Sequence, residues 1–205
     1  MKLLFAPTSP FVRKVMVCAH LTGQAADIEW LDSAAHPVRR DARIAAHNPL
    51  AKVPTLILDN GQALYDSRVI CEYLANRAGA SYLFPAAGDE RWTALTRQAL
   101  GDGVLDAALL ARYEHTARPP EFQWPTWREA LLTKVAAGLD SIEAIAPTLA
   151  LEQPSIGEIT IGSALGYLDF RFPEFDWRAQ HERAARWNEA FQKLPAMQAT
   201  RPYES

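Results

Sequence analysis

The chain has 205 residues, 49% of them apolar and 22% charged, and a formal charge of -3. That length and balance describe an ordinary globular protein with room for one large domain or two small ones, and they exclude disordered and fibrous classes. Lys and Arg are scattered rather than clustered, so there is no basic field for a polyanion and nucleic-acid binding is not expected.

Residues 2 to 5 read as a buried strand. Val12, Val15, Met16 and Ala19 then recur at helical spacing, with Ser9 and Pro10 ahead of them and Gly23 as the stop. Ile28 to Leu31 reads as a second strand, followed by a polar segment, residues 33 to 47, of short helical character. "VPTLIL" (Val53 to Leu58), "DNG" (Asp59 to Gly61) and "QALY" (Gln62 to Tyr65) form strand, turn and strand, an antiparallel hairpin. "DSRVICEYLANRAG" is a helix opened by Asp66 or Ser67 and closed by Gly79.

Beyond "SYLFPAAG" (Ser81 to Gly88), a linker, every pattern is helical. Residues 89 to 116 hold one long helix with Gly101 and Gly103 inside it, where small residues suggest a dimer contact. Thr126 with Glu129 and Ser155 with Glu158 form two capping boxes, each opening a further helix. Two more helices, near 176 to 193 and 195 to 200, end the chain. The fold class is therefore an α/β N-terminal domain, residues 1-80, followed by an all-α helical domain, residues 88-205.

Ser9 is a favoured N-cap type and Pro10 a favoured first-turn residue, so the Ser9 hydroxyl stands where the helix dipole points. Helix N-termini leave backbone N–H groups unpaired and hold anions. Read by itself, Ser9 is an N-cap and Asp66 and Ser67 are plain capping residues; Pro54 reads as a trans proline at a strand start, and Arg13 as an exposed helix residue. Cys18 and Cys71 make no CxxC, which fits a reducing compartment, and Cys18 reads as a buried helix residue. The five histidines have no metal-ligand spacing, so no metal is assigned. A four-residue apolar N-terminal run broken by Pro7 is too short for a signal peptide, and nothing approaches the roughly 18 apolar residues of a membrane span. The expected location is cytoplasmic, without a membrane partner.

Three stretches, "TSPFVRKV" (Thr8 to Val15), "NPLAKVPTL" (Asn48 to Leu56) and "DSRVICEYL" (Asp66 to Leu74), in this order and with the Ser155 and Glu158 box, make the chain resemble the cytosolic glutathione S-transferases, bacterial members above all. The resemblance implies a thioredoxin-like, glutathione-binding N-terminal domain, a helical domain carrying a pocket for a hydrophobic electrophile, and a homodimer active in detoxification. It implies glutathione as co-substrate, its thiol held as thiolate by Ser9, with Thr8 as the alternative. It makes Pro54 a cis proline, with the Val53 N–H and C=O pairing to the cysteinyl backbone of glutathione. Lys52 would meet the glycine carboxylate, Ser67 the γ-glutamyl carboxylate and Asp66 the γ-glutamyl amine. Phe11 would border both glutathione and, with Tyr113, the electrophile; Asp102 either reaches a ligand amine or is a solvated side chain. Ala51 stands where a glycine is common. Phe122, Trp124 and Trp127 read either as pocket lining or, more ordinarily, as core. Ser9-Pro10-Phe11-Val12 stands where thiol-transferring relatives carry C-P-x-C, so disulfide exchange through the protein's own cysteine is not expected. The implied activity is conjugation of the thiolate or reduction of a peroxide; the other-class alternative is a non-catalytic interaction module on the same fold.

Overall fold

Strand β1 (Lys2–Phe5), helix α1 (Pro10–Leu21), strand β2 (Glu29–Asp32), helix α2 (Ala42–Ala45), strands β3 (Thr55–Ile57) and β4 (Ala63–Leu64) and helices α3 (Ser67–Arg77), α4 (Gly88–Thr116), α5 (Pro125–Ile145), α6 (Ile156–Arg171), α7 (Glu182–Phe191) and α8 (Pro195–Ala199) follow in chain order. The computed structural model describes residues 1–204, which divide into an N-terminal unit, Met1–Ala86 with the segment from Pro195 onward, and a helical unit, Ala87–Leu194.

In the N-terminal unit the strands lie in the order β2-β1-β3-β4. β1 pairs parallel with β2 and antiparallel with β3, and β3 pairs antiparallel with β4. The parallel pair needs a crossover, and α1 supplies it. Adjacent strand residues point to opposite faces, and Leu3 and Leu4 are both buried, so the sheet is covered on both sides at β1. Val12, Val15, Met16 and Ala19 of α1 are buried with Ile70, Cys71 and Leu74 of α3, the helix packed against it. This is the expected thioredoxin-like arrangement, with the expected hairpin.

The C-terminal segment departs from the expected domain boundary: from Pro195 onward it clusters with the N-terminal unit, where α8 packs on α1. Arg13 is accordingly not an exposed helix residue. It is 6% exposed and donates from Nη2 to the Met197 carbonyl at 3.2 Å.

In the helical unit α6 is buried from Ile156 through Leu168, as a helix apolar on every side must be. Ser155 caps it and Glu158 reaches back to the Ser155 N–H at 2.9 Å, the expected capping box, which Arg97 of α4 joins at 2.6 Å from Glu158. A Cβ on Gly101 would lie 2.8 Å from Thr160 Cγ2 and one on Gly157 2.6 Å from Arg97 Cβ, so α4 and α6 touch backbone to backbone and run parallel. Gly101 thus serves contact within the chain rather than between copies, while Gly103 faces open space. The Thr126 box does not form. Pro125, a residue suited to the first helical position, starts α5 two residues earlier than a Thr126 cap would, and the Trp124 N–H is taken by Glu114 Oε1 at 2.7 Å. Phe122, Trp124 and Trp127 are 66%, 62% and 41% exposed and so do not belong to the core. The helix expected near 176 to 193 is confined to α7, because its start is a set of turns held by Asp169, which accepts from Trp177 Nε1 and Arg178.

Candidate active site

The strand registers decide which residues meet. Leu4 of β1 pairs with Thr55 of β3, so the loop leaving β1 and the residues entering β3 lie at the same end of the sheet. Leu56 pairs with Leu64, which brings the exit of β4, and with it Asp66 and Ser67, to that end too. Thr8, Ser9, Lys52, Val53, Pro54, Asp66 and Ser67 therefore share one edge of the N-terminal unit, where both α1 and α3 present their N-termini. Two positive helix ends pointing at one edge make an anion site.

Ser9 is the N-cap of α1, with extended backbone, and Pro10 opens the helix. Its Oγ accepts from the Val12 N–H at 3.3 Å, and its backbone N–H donates to the Ala6 carbonyl at 3.0 Å. A hydroxyl that accepts still has its proton to give, and no protein acceptor takes it among the described residues. The side chain is half-buried, as is Thr8. Phe11 follows in the first turn, the Lys14 ammonium 6.0 Å from its ring centre.

The segment before β3 is held by a residue that the motif reading passed over. Asn48, buried, donates from Nδ2 to the Lys52 carbonyl at 3.2 Å and to Thr55 Oγ1 at 3.0 Å, and accepts from the Leu50 N–H at 3.0 Å. The "NP" at the head of this motif is the only local signal for it. The Val53–Pro54 peptide is cis. The Val53 N–H and C=O make no backbone hydrogen bond among the described residues, an open edge one residue long. Ala51 has φ 53, the left-handed region that favours glycine. The Lys52 side chain is exposed.

At α3, Asp66 is the N-cap and accepts from the Arg68 N–H at 2.9 Å. Ser67 is the first helical residue and 2% exposed, and its hydroxyl has no partner among the described residues. The edge thus offers two hydroxyl protons without an acceptor among the described residues, one open backbone pair and two helix N-termini. A flexible anion carrying a peptide backbone matches all of these.

Asp102 and Tyr113 stand on α4 in the helical unit. Asp102 is 1% exposed and engaged in an interaction of its own, which overturns the solvated alternative for it. Tyr113 is half-buried, and burial raises its phenol above the ordinary value. Cys18 and Cys71 are both fully buried free thiols, brought together where α1 meets α3. Their mutual hydrogen bond and their burial hold the Cys18 thiol well above its usual range, hence protonated and a poor nucleophile. Among the described residues no helix is long and apolar enough to cross a membrane.

The family model for the glutathione S-transferase N-terminal domain matches residues 8–77, and that for the C-terminal domain residues 125–190. A glutathione transferase family member from Pseudomonas fluorescens Pf-5, solved with bound glutathione, is 44% identical with a TM-score of 0.95, covering 99% of both chains. A structure under the same description, with bound S-(propanoic acid)-glutathione, is 42% identical with a TM-score of 0.91 and covers 100% of both. The GST-like protein YibF of Escherichia coli K12, uncharacterized, is 33% identical over 83% of each chain.

Proposed function

The chain belongs to the glutathione S-transferase family, and from that premise we propose that it binds glutathione at the shared edge of its N-terminal unit, holds the thiol as thiolate and adds it to a small electrophile. The observation that carries this reading is Ser9: an N-cap hydroxyl at the mouth of α1 whose proton no group among the described residues accepts. A free thiol titrates near 8.5, and lowering that by about two units needs about 2.7 kcal/mol. A hydrogen bond to a charged group contributes roughly 1.5–3 kcal/mol and a helix end roughly 0.3–1 kcal/mol. The dipole alone falls short; dipole and hydroxyl together suffice.

In this reading Ser9 donates to the glutathione sulfur, with Thr8 as the neighbouring alternative. The Val53 N–H and C=O pair with the cysteinyl backbone as an added strand would. Ser67, with its hydroxyl and its N–H at the start of α3, takes the γ-glutamyl carboxylate. Asp66 takes the amine and Lys52 the glycine carboxylate. Phe11 borders the electrophile. The thiolate lone pair forms the new C–S bond, and the leaving group departs with its electron pair; where the substrate is an activated alkene, the resulting carbanion takes a proton from water. A related protein holds a glutathione whose sulfur carries a propanoic acid, in keeping with a thioether at such a site. The same reading makes the protein a homodimer of the cytoplasm that removes reactive electrophiles, and sedimentation in solution tests the dimer.

Retention on immobilised glutathione followed by turnover of a generic aryl halide tests the function. Retention with glutathione-dependent release of halide is expected. Retention without turnover leaves a non-catalytic module on this fold, and absence of retention overturns the reading.

A further inference from the structure

The parallel contact of α4 with α6 has a register that can be carried along both helices. Gly157 meets Arg97 and Gly101 meets Thr160, an offset of about sixty residues that persists because both helices rise at the same pitch. Continued to their C-terminal ends, this offset sets Arg112 and Tyr113 of α4 beside Tyr167 and Arg171 of α6. The electrostatics agree: both guanidinium groups act on both phenols, and Tyr113 acts on Tyr167.

The charge of Arg112 is not balanced within this cluster. Arg112 is half-buried and forms no ion pair among the described residues. The carboxylates nearest in sequence are committed elsewhere. Glu114 accepts from the Trp124 N–H at 2.7 Å and from Arg118 at 2.8 Å; Asp169 accepts from Trp177 and Arg178. Tyr167 is 4% exposed, and neither its hydroxyl nor that of Tyr113 has a partner among the described residues. Arg171 adds a second positive charge, its guanidinium 4.2 Å from the Phe170 ring centre. A phenol is protonated at neutral pH and burial raises both of these further, so they stand as donors. Cations at helix C-termini are ordinary complements to the dipole, but that effect asks only for charge near the last turn. It does not call for two unpartnered phenols facing a half-buried guanidinium.

We infer that Arg112, with the Tyr113 and Tyr167 hydroxyls and the field of Arg171, binds a carboxylate, and that the electrophiles this protein takes are small organic acids. The helix C-termini oppose an anion more weakly than one charge-assisted hydrogen bond holds it, so the arginine decides the sign. The inference rests on the transferase reading only for the fate of the acid; its binding stands by itself.

The test compares 4-chloro-3-nitrobenzoate with its neutral primary amide by calorimetry, without glutathione. The acid binds the wild type at least about tenfold more tightly than the amide. Arg112→Gln weakens the acid by roughly ten- to hundredfold and leaves the amide within about twofold; Arg112→Lys recovers part of the preference, and Tyr113→Phe loses a few-fold for the acid alone. Should Arg112→Gln fail to fold, added salt weakens the acid and spares the amide in the wild type. Equal binding of acid and amide by the wild type, or a preference that persists in Arg112→Gln or is insensitive to salt, overturns the inference. With glutathione added, acid that binds selectively yet releases no chloride contradicts the transferase reading alone, whereas turnover of the amide without preference for the acid contradicts the carboxylate site alone.

Discussion

Removing the Glu158 carboxylate should destabilise the helical unit by several kcal/mol, on the order of 4. Glu158 is 2% exposed in the first turn of α6. One oxygen accepts the Ser155 N–H at 2.9 Å and the Ser155 hydroxyl; the other accepts Arg97 at 2.6 Å, and Arg97 also donates to Thr148 at 2.6 Å. Breaking a buried ion pair by deleting one partner costs about 3–5 kcal/mol. Arg97 keeps 18% side-chain exposure, so water relieves part of its lost pairing and the lower end applies. Loss of the box adds about 1 kcal/mol, giving about 4 kcal/mol for Glu158→Ala. For a chain of this length about 1 kcal/mol moves Tm by roughly 2–4 °C, so a fall of roughly 8–16 °C is expected by circular dichroism. Ser155→Ala, which leaves the ion pair in place, should lose about 1 kcal/mol. Glu158→Leu combined with Arg97→Met should lose much less than the sum of the two single changes, because neither charge is then left buried alone. A Glu158→Ala loss under 1 kcal/mol, or strict additivity in that pair, would refute the reasoning.

Ala51→Gly should raise stability by about 0.5–1 kcal/mol in urea melts, since left-handed backbone costs alanine about 1–2 kcal/mol while glycine gives back part through its freer unfolded chain; a loss would contradict the assigned strain. Burial pushes the Tyr167 phenol from 10.0 to about 12, so the unfolded chain ionises first and stability falls as pH rises from 10 towards 12. A shift of two units at about 1.36 kcal/mol each makes that fall about 2.7 kcal/mol, and Tyr167→Phe should unfold at higher alkaline pH than the wild type. A thiol-alkylating reagent should leave Cys18 untouched in the native protein at neutral pH and label it on unfolding; rapid native labelling would show that the thiol is neither buried nor held protonated.

What was legible from the sequence was local. Ser9-Pro10, Asp66-Ser67 and Ser155 with Glu158 announce helix starts because a cap is a relation between residues one to three apart, and all three caps form. The hairpin around Asp59 to Gly61 was readable for the same reason. What failed depends on distant chain. Arg13 looks solvated on its own helix and is buried because α8, 184 residues on, lies over it. Thr126 lost its cap to Pro125, a competition between two legitimate start signals. Gly101 suggested a contact between copies, but its partner is Thr160 of the same chain. Arg112 and Tyr167 carry no motif at all; only the parallel register of α4 and α6 brings them together.

The central claim concerns a sulfur held anionic at the mouth of α1. Titrating the ultraviolet absorbance of the glutathione thiolate in the complex, for wild type, Thr8→Val and Ser9→Ala, addresses it directly. An apparent thiol pKa about two units below the free value of about 8.5 in the wild type and in Thr8→Val, rising by one unit or more in Ser9→Ala, is the predicted result. A wild-type value no lower than that of free glutathione, or one that Ser9→Ala leaves in place, would contradict it.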